Sequence, residues 1–131
     1  MIEDKGRAAE LLNATMPGTD FSTFLAEPLH VALIEGKSAA VFAWRGPGIY
    51  EVHVHFEVRG RAAIDLLHRM IEAMRFAHDA LLFWALIPQE DRKTRMFARL
   101  CGWKSLGMKR DSFGPKELFV SEICPCLSPQ S

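Results

Sequence analysis

Four ionisable side chains stand at alternate positions in one short stretch: Glu51, His53, His55 and Glu57. Tyr50, Val52, Val54, Phe56 and Val58 alternate with them. Strict alternation predicts a strand over Tyr50 to Val58 with one buried face and one polar face. All four ionisable groups then share the polar face. Histidine changes charge near neutral pH, so this face could supply a general base that takes a proton from a nucleophile. Glu51 and His53 are the leading pair for that task. The same pattern also fits a strand surface that is solvated or faces a partner. A third reading is a metal held by the His-x-His pair with Glu51 as a third donor. Two histidines do not close a metal site, and a helical pattern follows instead of a paired strand, so no metal is assigned.

The strand leads into Arg59-Gly60-Arg61-Ala62-Ala63. A turn without bulky side chains at the start of a helix lets backbone amides approach an anion. Arg59 and Arg61 flank that turn and could add charge-assisted contacts to phosphate. Otherwise they are exposed charges at a helix start, where a cation at Arg61 meets the unfavourable end of the helix dipole. Arg92, Lys93 and Arg95 form a second basic group. They read as a solvated helix face that could reach a phosphate. Cys101 reads as core. Cys124-Pro125-Cys126 could bind metal or join another chain, but it lies in a tail, Cys124 to Ser131, that reads as loose.

These residues need a scaffold. Ile2 to Ala14 reads as a helix, and Asp20 can cap a short helical turn holding Phe21, Phe24 and Leu25. Leu29 to Ile34 and Ser38 to Trp44 read as a hairpin turning at Glu35-Gly36-Lys37. After the Tyr50 strand a helix is predicted from about Ala62 to His78, with Ala63, Leu67, Met70, Ile71, Met74 and Ala77 at helical spacing. Asp65 with Arg69, and His68 with Glu72, fall one turn apart on its outer side. Ala80 to Ile87 is a continuous apolar run, which reads as a central strand covered on both faces. A strand, helix, strand unit crosses over right-handed, so this run should lie parallel to the Tyr50 strand. Pro88-Gln89-Glu90-Asp91 opens a helix predicted to bury Met96, Phe97 and Leu100 and to stop at Gly102. Trp103 to Arg110 and Glu117 to Ile123 are the last two strands. The fold class is therefore α/β: a mixed sheet with helices on both faces.

The chain has 131 residues and 49% hydrophobic content, which suits one domain over residues 1–123. Basic and acidic residues balance at 16 each, so nothing suggests a nucleic-acid footprint. No apolar run is long enough to span a bilayer as a helix, and Met1 to Arg7 lack the apolar stretch of a signal peptide. Three cysteines without a framework spacing suit a reducing, cytoplasmic setting. Trp44, Trp84 and Trp103 read as core or interface aromatics, and a homodimer is left open.

The element order, the Arg59-Gly60-Arg61-Ala62-Ala63-Ile64 turn and the helix from Asp91 to Cys101-Gly102-Trp103 together resemble the Gcn5-related N-acetyltransferase family. The resemblance spans about Leu29 to Val120 and extends to small members encoded in tailed-phage genomes. It implies acetyl-coenzyme A as cofactor, an amine on a small molecule or protein as acceptor, and direct attack of that amine on the thioester. Arg59, Gly60, Arg61, Ala62 and Ala63 would hold the cofactor, and Glu51 or His53 would be the base. Three positions depart from the family pattern. Ile64 stands where a small residue is usual, Ala98 falls where a tyrosine usually protonates the thiolate, and Asp91 replaces an asparagine. The alternative the sequence allows is a binding or assembly protein that keeps this fold without the cofactor site.

Overall fold

The computed structural model describes residues 1–15 and 18–122. Strand β1 is Ile2–Glu3, followed by helices α1 (Lys5–Thr15) and α2 (Phe21–Leu25). Strands β2 (Val31–Glu35), β3 (Ser38–Gly46) and β4 (Ile49–His55) follow. Then come helix α3 (Arg61–His78), strand β5 (Leu82–Pro88), helix α4 (Arg92–Leu100), and strands β6 (Lys104–Asp111) and β7 (Gly114–Glu122). All seven strands form one mixed sheet in the order β1-β2-β3-β4-β5-β7-β6.

The predicted architecture holds. β4 and β5 are adjacent and parallel, joined by α3. β2 and β3 form the expected antiparallel hairpin, and β7 inserts antiparallel between β5 and β6. Where boundaries differ, local hydrogen bonds explain them. Ile2 and Glu3 pair with Ile34 and Leu33, so they extend the sheet edge instead of opening the first helix. Asp4 then caps α1, its carboxylate accepting from the Arg7 amide. β4 ends at His55, three residues early, because the Glu57 amide donates to the Ser38 hydroxyl and leaves the ladder. The last hairpin is tighter than expected, with Asp111 paired directly to Gly114. The Cys124 to Ser131 tail, its Cys-Pro-Cys sequence and Ile123 lie outside the described residues.

The alternation of β4 divides the molecule into two layers. Tyr50 and Val52 face α3 and join Phe42, Phe83, Leu67, Met70 and Met74 in the larger core cluster. The opposite face of β2 and β3 packs Ala32, Ile34, Ala39 and Val41 against Ala8, Leu12, Phe21 and Leu25 of α1 and α2. Phe83 is fully buried, its ring 5.7 Å from Phe42 and 6.3 Å from Tyr50. Burying one such side chain contributes about 1.5–3 kcal/mol. Val54 and Phe97, expected in this core, are only partly buried. Met96 and Leu100 are 55% and 61% exposed, contrary to expectation. α4 turns Ala98 inward instead.

The charge pairs along α3 also differ. Arg69 makes a two-pronged contact with Glu35 rather than Asp65, at 2.7 and 3.0 Å. The His68 ring meets the Cys101 carbonyl oxygen rather than Glu72. Partners across the tertiary structure displaced the neighbours one turn away. Among the described residues, no helix is long and apolar enough to cross a membrane.

Candidate functional site

β4 and β5 run side by side but stop pairing halfway. Their ladder holds Ile49 to Leu82, Tyr50 to Phe83 and Glu51 to Trp84. β4 nevertheless continues to His55 on its pairing with β3, and β5 to Pro88 on its pairing with β7. Each strand is anchored on its outer side, so the two can part without unravelling. The backbone groups on their facing edges are freed from the ladder, which leaves polar groups that need partners. A cavity of about 290 Å³ opens at this fork. Val52, His53 and Val54 wall one side and Ala85 to Pro88 the other. Asp91, which precedes α4, and Thr94, Phe97 and Ala98 of α4 close it. Asp91 caps α4, its carboxylate accepting from the Thr94 amide at 3.1 Å.

A second cavity, about 630 Å³, lies beside the first and shares Val54, Thr94 and Phe97 with it. It meets the start of α3 through Arg59, Gly60, Ala63 and Ile64. Gly60 sits at φ 60° and ψ −134°, a conformation that favours glycine, and a side chain there would point into open space. The amides of Ala63 and Ile64 donate to the Gly60 carbonyl at 3.1 and 3.2 Å. No side chain caps the helix. Among the described residues, the Arg61 and Ala62 amides meet no protein acceptor. Such amides, at the positive end of an 18-residue helix, suit an anion. Arg92 and Lys93 of α4 line the same cavity from the other side.

On the face of β4 turned toward α1 and α2, Glu51 is the hub. Its carboxylate takes two hydrogen bonds from Arg45, at 2.7 and 3.0 Å, and lies 3.3 Å from His53 Nε2. Half-burial alone would push the Glu51 carboxyl up. The hydrogen bonds from His53 and Arg45 outweigh it and hold the group at about 2. Glu51 is therefore an ionised anchor, a poor proton acceptor at neutral pH. The His53 ring touches Phe24 edge-on, with ring centres 6.1 Å apart, and its side chain is 38% exposed. It borders the fork cavity and can still be reached from outside.

The sequence-stretch candidates thus separate. Glu51 and His53 come together, while His55 borders the second cavity rather than the first. Among the described residues, no three His, Cys, Asp or Glu side chains gather as a metal site. Arg59, Gly60 and Ala63 line the second cavity; Arg61 and Ala62 do not. Arg61 is 86% exposed and turns along its helix to Asp65 at 3.3 Å. Of the second basic group, Arg92 and Lys93 face the cavity, but Arg95 turns to Glu117. Cys101 is buried, which pushes its thiol up to about 11 and makes it inert. Sequence reasoning missed Thr94, Phe97 and Trp103 as cavity walls. The helical period of α4 hinted at Thr94 and Phe97 without saying which face meets a gap, and Trp103, beyond the helix, carried no such signal.

No protein-family model matches the chain, and no curated protein matches it by sequence. Solved structures do match by fold. The spermidine N-acetyltransferase of Vibrio cholerae superposes with a TM-score of 0.70 at 10% identity, covering 92% of this chain and 93% of that one. An aminoglycoside acetyltransferase, AAC(6')-Ib, in complex with coenzyme A and kanamycin, superposes at 0.65 and 13% identity, covering 91% and 89%. The ribosomal-protein-S5-alanine acetyltransferase of Vibrio fischeri superposes at 0.56 and 13% identity, covering 65% of this chain. This chain spans about half, 53%, of that enzyme's length. At such identities the likeness speaks for architecture alone: the mixed seven-stranded sheet flanked by helices is the acetyltransferase fold.

Proposed function

We propose that this protein is an acyl-coenzyme A-dependent N-acyltransferase of the Gcn5-related type, moving an acetyl group to an amine. The observation that carries this reading is the parting of β4 and β5 over a cavity that adjoins the N-terminus of α3. A pantetheine arm needs unpaired backbone along its length, and a pyrophosphate needs free amides at its end. The fork supplies the first; the Arg61 and Ala62 amides, which lie between the cavity-lining Gly60 and Ala63 without lining the cavity themselves, would supply the second at its mouth. The open space at Gly60 leaves that approach clear. Arg59, Arg92 and Lys93 would neutralise phosphate charge from both walls. Bound there, the cofactor would supply an activated acyl thioester.

The chain's own residues then act on the acceptor. His53 takes a proton from the incoming ammonium so that the nitrogen lone pair becomes available. Glu51, clamped by Arg45, fixes the ring. Overall the acceptor nitrogen gains the acyl carbon, the carbon–sulfur bond breaks, and the nitrogen's second proton ends on the thiol sulfur, passed through water. Ala98 carries no hydroxyl for that last transfer, so this chain does without a side-chain acid at that position.

Ile64 favours the second reading, a non-catalytic binding or assembly protein. Its side chain borders the second cavity where a small residue would leave the amides freer. Calorimetry decides between them. Wild type should bind acetyl-coenzyme A, and a ligand at about 100 times its dissociation constant should add about 2.7 kcal/mol to stability. His53→Ala should leave binding unchanged and slow transfer by roughly a hundredfold or more. Absence of binding at millimolar ligand would favour the non-catalytic protein.

A further inference from the structure

The fork cavity runs deeper than an acetyl group requires. Beyond the strand edges it reaches Leu67 in the second turn of α3, Ala98 near the end of α4, and Trp103 after it. These three are 3%, 6% and 7% exposed, so core residues form the floor of the cleft. Its polar borders are His53 on β4 and Asp91 and Thr94 at the start of α4. The inner walls are hydrocarbon and indole. Two of them, Ala85 and Ala98, are the smallest side chains that could stand there, and they leave the space open. The cleft is open to water, so its apolar walls stay wet, a cost that an apolar ligand would offset.

We infer that the inner part of this cavity accepts the hydrocarbon chain of an acyl thioester longer than acetyl, about four to six carbons, in line with apolar cavities of roughly 150 Å³ that hold a six-carbon ring. This rests on the acyltransferase reading above and extends it to the donor. At about 290 Å³ the cavity exceeds that reference, and the remainder takes the end of the pantetheine arm. The cavity is continuous in its walls with the one at the α3 N-terminus, so a thioester held by its phosphates has its acyl end at the fork. A short polar chain would leave the inner walls bare. A preformed apolar space rewards each added methylene until it is filled.

The test is calorimetry of the full chain with coenzyme A and its acetyl, butyryl, hexanoyl and dodecanoyl thioesters. Affinity should rise about fourfold per methylene from acetyl to hexanoyl, and then stop rising. Ala98→Phe fills the inner end and should abolish the rise; the readout is the ratio of hexanoyl to acetyl thioester affinity, which should fall to about one whatever the variant does to coenzyme A itself. Ala85→Val, a smaller change on the strand side, should shift the optimum to a shorter chain. Circular dichroism checks that both variants fold. Coenzyme A binding with flat or falling affinity beyond acetyl would overturn the inference and leave the acyltransferase reading standing. No binding of coenzyme A or of any thioester would overturn both.

Discussion

The two ends of the β4–β5 pair are built from the same strands and do opposite things. At the closed end, Tyr50 stacks on Phe83 and both are buried against α3. At the open end, four residues further along β4 and two along β5, Val54 and Ala85 border a cavity and the strands no longer pair. Side-chain type does not account for the difference, since both ends are mostly apolar. What differs is which neighbours hold each strand. β3 and β7 grip the outer edges along the full length, while α4 wedges over the open end. An apolar strand can thus be core at one end and a cavity wall at the other, its outer partners setting where the change occurs.

Truncating the closed end should have the largest effect. Phe83→Ala removes a fully buried ring and should cost about 3–5 kcal/mol in a chemical denaturation midpoint series. Phe97→Ala at the open end should cost less than half of that, because a cavity already borders the ring. Equal losses at the two sites would mean the fork is packed shut in solution. Gly60→Val comes next. Its positive φ should cost about 1–3 kcal/mol of stability in the same series, and coenzyme A binding should be lost by calorimetry. Asp91→Ala removes the cap of α4 beside the cavity and should lower stability by about 1 kcal/mol, measured by thermal melting.

The acid side of the stability profile gives a finer comparison. His30 is buried, and its Nδ1 accepts from the Trp44 amide at 2.9 Å. Burial, with Arg45 nearby, lowers its pKa, so the folded state prefers the neutral ring. A lowered histidine pKa contributes stability above the unfolded value of 6.5 that is lost as pH falls below it. Glu51 acts in a lower window. Its contribution is present above its ordinary value of 4.5 and is lost as pH falls toward about 2. Denaturant midpoints measured from pH 7.5 to pH 3 should therefore show a first decline below 6.5 and a second below 4.5. Glu51→Gln should shrink the second without removing it, because Glu35 and Glu117 are also held below their ordinary values by their partners. A single decline unaffected by that variant would refute the role given to the Arg45–Glu51–His53 cluster.

Much of the fold was legible because it depends on local periodicity. The alternation from Tyr50 to Val58 and the helical spacing from Ala63 to Met74 specify a strand and a helix without reference to the rest of the chain. The parallel pairing of β4 and β5 follows from the handedness of the crossover. The polar face of β4 was equally visible, so Glu51 and His53 could be paired before any distance was known. Local periodicity also set its own limit. It placed Met96, Phe97 and Leu100 on one helix stripe and took that stripe for core, although two of the three are largely exposed beside a cavity.

Which elements form, in what order, and which residues share a face follow from local sequence, because backbone geometry enforces those periods within a few residues. Long-range packing set the parting of β4 and β5 after Glu51, the placing of Arg92 and Lys93 on the cavity that adjoins the start of α3 while Arg61 turns away, and the anchoring of Glu51 by Arg45. Each of these depends on distances between residues far apart in the chain, where outer strand partners, helix placement and desolvation compete. No local pattern encodes that competition.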